Sequence, residues 1–170
     1  FTDHAPFRDL IIHATILTKD GKRMSKSLGT GIDPAELIKK HGADATRFGI
    51  VWQDMGGQDI HWAEEHVYAG KKFINKLWNS AKFVLARIGD ENRTLVRPVA
   101  SSPHAQKILA SYEKMNMEVT TRIEKYECGP ALHLIYEFYW HEFCDIFLEE
   151  AKRDQSEETT QTLFYIFASS

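Results

Sequence analysis

The period of the apolar positions changes twice along the chain. Residues 9–18, DLIIHATILT, are rich in β-branched and aliphatic side chains and lead into Asp20-Gly21, a tight-turn pair; the pattern predicts a strand feeding a turn. Near residue 33 the period lengthens to that of a helix. Asp33-Pro34-Ala35-Glu36 places an N-cap acceptor, a proline suited to the first helical turn and an acid three residues after the cap in succession, and Gly42 supplies a stop. A second short helix is expected over residues 43–52, with Ala43, Phe48 and Val51 facing inward.

After the glycine-rich break DMGGQD (54–59) the chain reads as long helices. Over residues 62–88, at about 100° per residue, Val67, Phe73, Leu77, Ala81, Val84, Leu85 and Ile88 fall on one side. Lys71, Lys72, Lys76, Lys82 and Arg87 fall on the opposite, solvated side, with Phe83 among them. Residues 89–102, carrying Gly89, Pro98, Ser101 and Ser102, form a linker to helices expected over 103–126 and 129–153. In the second of these, Leu132, Tyr136, Tyr139, Trp140, Phe143 and Phe147 recur at three and four residues, the spacing of a bundle core. A last helix begins near Glu157. The fold class that results is mainly α, a helical bundle over 61–170 preceded by a short α/β segment over 1–60.

Composition supports a packed chain: 170 residues, 43% hydrophobic and 12% aromatic, exclude a disordered tail. The formal charge of -3 conceals segregation. Residues 19–40 carry Lys19, Lys22, Arg23, Lys26, Lys39 and Lys40 against Asp20, Asp33 and Glu36, and residues 71–93 are also basic, whereas residues 142–158 are strongly acidic. A polyanion would be steered to one part of such a surface. Cys128 and Cys144 have no CxxC spacing and read as buried thiols, and no metal site is expected. His61, His66, His133 and His141 show no arrangement that marks a general base. Glu64 and Glu65 read as first-turn acids that offset a helix dipole. The apolar runs are shorter than a membrane span, so no membrane partner is expected. Opening on Phe1 and ending in TLFYIFASS, the sequence reads as a piece of a longer protein.

The chemistry concentrates in GKRMSKSLGTG, residues 21–31. Glycine lets backbone N–H groups approach a ligand, Ser and Thr add small donors, and Lys adds a mobile point charge. The combination suits a polyphosphate. On composition alone it also suits a solvated loop or a phosphorylation site at Ser25.

Arg23-Met24-Ser25-Lys26-Ser27 resembles the Lys-Met-Ser-Lys-Ser signature of class I aminoacyl-tRNA synthetases. IDP (32–34) and GADATRF (42–48) resemble the residues downstream of that signature in the valyl, isoleucyl and leucyl subgroup, and GGQDI (56–60), NKLWNSAKFVL (75–85) and YWHEFCDIFLEEAK (139–152) look most like the valyl branch. The resemblance covers nearly all of the chain. It implies the C-terminal end of a class I catalytic domain over 1–60, joined to a tRNA anticodon-binding bundle over 61–170. Isoleucyl or leucyl specificity, and a non-catalytic RNA-binding module, are the alternatives.

The resemblance also implies roles. ATP is the substrate bound at Arg23, Met24, Ser25, Lys26 and Ser27, with Mg2+ accompanying it, and Lys26 is the catalytic residue that stabilises pyrophosphate. The first position departs from the family, Arg23 standing where lysine is usual. The partners implied are tRNA and valine, without DNA, in the cytoplasm. Lys71, Lys72, Lys76, Lys82, Phe83 and Arg87 are the expected tRNA contacts, against the alternative that the lysines form an ordinary solvated face with Phe83 packed beneath another segment. The family's other signature, a His-x-Gly-His-like element, lies outside these residues. The chain by itself is therefore expected to be inactive.

Overall fold

The computed structural model describes residues 5–89 and 93–169. The order is β1 (Ile16–Leu17), α1 (Pro34–His41), α2 (Ala43–Gln53), β2 (Ile60–His61), α3 (Glu65–Ile88), α4 (Pro103–Glu124), α5 (Cys128–Glu137), a π-helical stretch (Phe138–Phe147), α6 (Leu148–Ala151) and α7 (Glu157–Ala168). The expected strand over 9–18 is reduced to its Ile16–Leu17 pair, which runs parallel to β2 with Ile16 opposite Ile60. A strand persists only where a neighbour completes its hydrogen bonds. The Thr15 carbonyl still accepts from the Ile60 N–H at 2.8 Å, but among the described residues no second strand pairs with residues 9–14, and Leu10, Ile11 and Ile12 are exposed.

The turn at Asp20-Gly21 forms as expected. Gly21 lies at φ 75°, its N–H donates to the Thr18 carbonyl at 2.9 Å, and Arg23 returns to bridge Leu17. Helix α1 starts where the Asp33 carboxylate accepts from the Ala35 N–H at 2.9 Å and stops at Gly42, whose N–H reaches the Ile38 carbonyl at 2.8 Å. Among the described residues Glu36 makes no bond back to Asp33, so the reciprocal half of the expected cap does not form.

Helix α2 buries Ala45, Thr46, Phe48 and Gly49. Ala43 is exposed and Val51 half-buried, contrary to expectation, because Ala43 lies about 200° round the helix from Ala45. Helix α2 lies very close to α3 and α5. A Cβ on Gly49 would stand 2.6 Å from Val67 Cγ2, one on Gly70 2.6 Å from Phe48 Cδ1, and one on Gly129 1.7 Å from the Asp54 carbonyl. Bulkier residues at these three positions would push the helices apart.

One apolar cluster joins the elements, with Phe48, Phe73, Val84, Tyr112, Phe138, Phe143, Phe147, Leu163 and Ile166 buried in it. The predicted aromatic stripe is in this core, but the helix carrying it changes pitch. From Phe138 to Phe147 it is π-helical, and the Leu148 N–H reaches back five residues to the Phe143 carbonyl. That wider turn superposes Phe138 on Phe143 and Tyr139 on Cys144, all buried, and leaves Trp140 half-buried. Leu85 is 65% exposed although the wheel put it inward; α7 covers the flank bearing Val84 and Ile88, and Leu85 lies beyond it. Cys144 is buried, whereas Cys128, at the start of α5, is exposed. Among the described residues no helix is long and apolar enough to cross a membrane.

Candidate functional site

The basic run is an exposed, self-closed loop. Arg23, Lys26 and Ser27 are exposed, and Met24 and Ser25 half-buried. The Ser25 and Ser27 hydroxyls lie 2.9 Å apart. The Ser25 N–H donates to Thr30 Oγ1 at 2.9 Å, and the Gly29 N–H, with Gly29 at φ 65°, donates to the Lys26 carbonyl at 3.1 Å. A cavity of about 420 Å³ opens beside it, lined by Lys26, Gly29, Gly31, Ile32, Asp33 and Pro34. Among the described residues the Lys26 ammonium has no ion-pair partner. An exposed cation on a glycine-flanked turn beside a cavity is free to meet an incoming anion.

A bridge ties this segment to the bundle. Glu64, just before α3, accepts from Lys40 at 2.6 Å and lies 2.8 Å from His41 Nε2, both at the end of α1. The Lys40 and His41 hydrogen bonds hold the Glu64 carboxyl below its ordinary value. Glu64 therefore links two helices, which the expected role in offsetting a helix dipole did not foresee. On the far side of α2, His133 stacks on Trp52 with centroids 3.7 Å apart and sits 3.0 Å from the Trp52 carbonyl.

The structure divides the expected tRNA contacts into two sets. Lys71, Lys72 and Lys82 are exposed on one face of α3, which also presents Tyr68 and Trp78, 54% and 65% exposed. The Lys72 ammonium sits 4.6 Å from the Tyr68 ring centroid and that of Lys82 5.8 Å from the Trp78 centroid. Lys76 and Arg87 do not lie on a solvated face. Lys76 bonds Asp145 at 2.5 Å and covers the Trp140 ring at 4.2 Å. Arg87 donates through Nε to Thr160 at 2.9 Å, and through its terminal nitrogens to the carbonyls of Ala151 and Asp154. Positions 76, 80, 83 and 87 share one flank, and that flank packs on the π-helical stretch and α7, which leaves Phe83 half-buried between two clefts. Thr30, Tyr68 and Trp78 were not anticipated. The helical spacing of Tyr68, Lys71, Asn75, Trp78 and Lys82 was the available signal for the last two.

Burial pushes the Cys144 thiol and the Tyr139 phenol up from their ordinary values, so neither is poised as a nucleophile. Among the described residues no three His, Cys, Asp or Glu side chains converge on a point where a metal ion would sit.

Residues 1–63 match the family described as tRNA synthetases class I (I, L, M and V), and residues 105–170 match the anticodon-binding domain of tRNA ligase. Two regions of the chain are thus similar to parts of class I aminoacyl-tRNA synthetases. The valine–tRNA ligase of Bacillus cereus is 40% identical over 153 residues, 89% of this chain and 17% of the relative. That of Mesoplasma florum is 33% identical over 176 residues, 98% of this chain and 20% of the relative. The chain thus spans about a fifth of the length of these relatives or less. Its fold matches the agnB2 LeuRS–tRNA–LeuAMS ternary complex of Agrobacterium radiobacter, with a TM-score of 0.75 and 17% identity over 91% of this chain and 19% of that one. It also matches the Mycobacterium tuberculosis methionyl-tRNA synthetase bound by methionyl-adenylate, with a TM-score of 0.65 and 20% identity over 89% of this chain and 32% of that one.

Proposed function

We propose that this chain is the loop-and-bundle portion of a valine–tRNA ligase, which activates valine with ATP and transfers it to tRNA. The observation that carries the reading is the Arg23–Ser27 run, held as an exposed closed turn beside a 420 Å³ cavity in a chain 40% identical to such a ligase. In activation, a valine carboxylate oxygen attacks the α-phosphorus of ATP, the bond from that phosphorus to the bridging oxygen breaks, and pyrophosphate leaves with the electron pair. Negative charge grows on the leaving group. The Lys26 ammonium meets that charge, and its contribution is electrostatic, with no proton transferred. Ser25 and Ser27 donate to phosphate oxygens or hold the turn, Arg23 offers a planar fork in place of a point charge, and Met24 anchors the loop by packing. Among the described residues no three His, Cys, Asp or Glu side chains converge to hold Mg2+, so no step is assigned to the ion.

In transfer, a terminal ribose hydroxyl of the tRNA attacks the valyl carbonyl and AMP leaves. The bundle holds the tRNA, with Lys71, Lys72 and Lys82 as the phosphate contacts. Lys76 and Arg87 border the same surface and shape it through their intramolecular bonds, and Phe83 packs against the core beside them. The setting for this reaction is the cytoplasm, and the chain alone, without the rest of its parent, is inactive.

The test is amino-acid-dependent exchange of labelled pyrophosphate into ATP by the full-length parent, with valine, isoleucine and leucine in parallel. Exchange with valine is expected. Exchange with another amino acid would keep the mechanism and replace the specificity, and none with any of the three would leave a binding module.

A further inference from the structure

The signature loop is closed by a residue outside the signature. Thr30 Oγ1 accepts from the Ser25 N–H at 2.9 Å and donates to the Ser25 carbonyl at 3.3 Å, while the Thr30 N–H donates to that carbonyl at 3.1 Å. One threonine thus holds both backbone groups of Ser25. The segment from Ser25 to Thr30 becomes a ring, and the exposed Lys26 and Ser27 sit on it.

We propose that Thr30 is a positioning residue that pre-sets the backbone of Lys26 for amino-acid activation, an inference that rests on the role of Lys26 given above. A cation on a loose, glycine-flanked loop must lose conformational freedom each time it is fixed against a phosphate. If the loop is already closed, that loss is smaller when charge develops, and the gain appears in the transition state. The stem of Lys26 lies against the open side of Gly31, where a Cβ would stand 3.9 Å from Lys26 Cγ, so ring and side chain are in register. Both Ser25 groups border solvent, and water replaces the threonine bonds if they are lost. Removing the hydroxyl therefore acts on the reaction and spares the fold. Valine keeps the shape and β-branching of threonine without the hydroxyl, and serine keeps the hydroxyl without the methyl group.

The experiment is valine-dependent pyrophosphate exchange by the full-length parent, comparing wild type, Thr30→Val, Thr30→Ser and Lys26→Ala, with melting temperature and tRNA binding measured for each. We expect Thr30→Val to lower kcat about tenfold with little change in KM for ATP, and Thr30→Ser to stay within about threefold of wild type. Melting temperature and tRNA binding should not move. The inference is overturned by Thr30→Val exchanging like wild type, by Thr30→Ser failing as badly as Thr30→Val, or by a loss of rate that tracks a loss of melting temperature. Lys26→Ala separates the two layers: undiminished exchange there removes the reading of Lys26 and this inference with it, whereas its loss beside an active Thr30→Val removes only the inference.

Discussion

Around the signature loop, the hydrogen bonds from Ser25 to Thr30 join residues no more than five apart, and no described residue before Leu37 is buried. The bundle is held the opposite way. Arg87 reaches Thr160, the N–H groups of Ser101 and Ser102 reach Glu158, and Tyr112 reaches Ser169, all across more than fifty residues of chain. A shape held by near neighbours can be lost and regained without disturbing the rest, whereas one held by distant partners fails as a unit. A loop that closes on a reacting nucleotide needs the first kind of order, and a surface that docks a rigid nucleic acid needs the second.

Emptying one site in each region should expose the difference most strongly. Phe143 is fully buried at the centre of the aromatic cluster, and Phe143→Ala should cost about 3–5 kcal/mol in urea unfolding. Leu28, 76% exposed in the loop, should cost less than about 0.5 kcal/mol on the same change. A large loss from Leu28→Ala would show that the loop is packed rather than locally held.

Glycines carry the contrast to the backbone. Gly129→Ala would drive a methyl group to 1.7 Å from the Asp54 carbonyl and should cost at least about 3 kcal/mol, because neither backbone can give way alone. Gly31→Ala meets nothing closer than 3.9 Å and should leave unfolding within about 0.5 kcal/mol of wild type. Equal costs in the same denaturation experiment would mean that the α2–α5 contact is looser than its geometry.

Local signals made much of this legible in advance. The Asp33-Pro34 start, the Gly42 stop, the Asp20-Gly21 turn and the aromatic stripe each depend on a few neighbouring residues, and each forms. What escaped depends on distant partners. The strand over 9–14 needs a neighbouring strand, Leu85 is exposed because of where α7 lies, and Lys76 and Arg87 face inward because Asp145 and the end of α6 await them. The π-helical pitch was hidden because three- and four-residue spacing is also what an α-helix core shows. In the site, the run of basic and hydroxyl residues was visible, but Thr30 was not, since nothing in its identity says that it closes on Ser25.

A smaller effect separates two basic residues of one helix. Arg87→Met removes three hydrogen bonds that join α3 to α6, to Asp154 in the turn after it and to α7, and should cost about 2 kcal/mol in stability. Lys82→Met, on the exposed face, should leave stability within about 0.5 kcal/mol and reduce the salt dependence of tRNA binding by about one unit of slope. If Lys82→Met leaves that slope unchanged, the exposed face of α3 is not the docking surface.

The smallest expected effect per group is acid sensitivity, and it too should divide the regions. The Thr159 hydroxyl, with the Ser156 N–H, holds Asp154 below its ordinary value; Arg93 does the same for Glu157, and Ser101 with Ser102 for Glu158. A carboxylate whose folded pKa is depressed adds stability above its unfolded pKa, and that stability is lost as pH falls through the folded one. The contacts anchoring α7 and the 93–102 linker should therefore hold from pH 7 down to about 5 and weaken progressively below about 4, the ordinary carboxylate range. The Ser25–Thr30 bonds contain no ionisable group and add nothing to that slope. Melting temperatures at pH 7 and pH 4 test this on wild type and Glu158→Gln. The wild type should lose more on acidification than the variant, whose amide cannot titrate, and equal losses would mean that Glu158 does not secure the linker to α7.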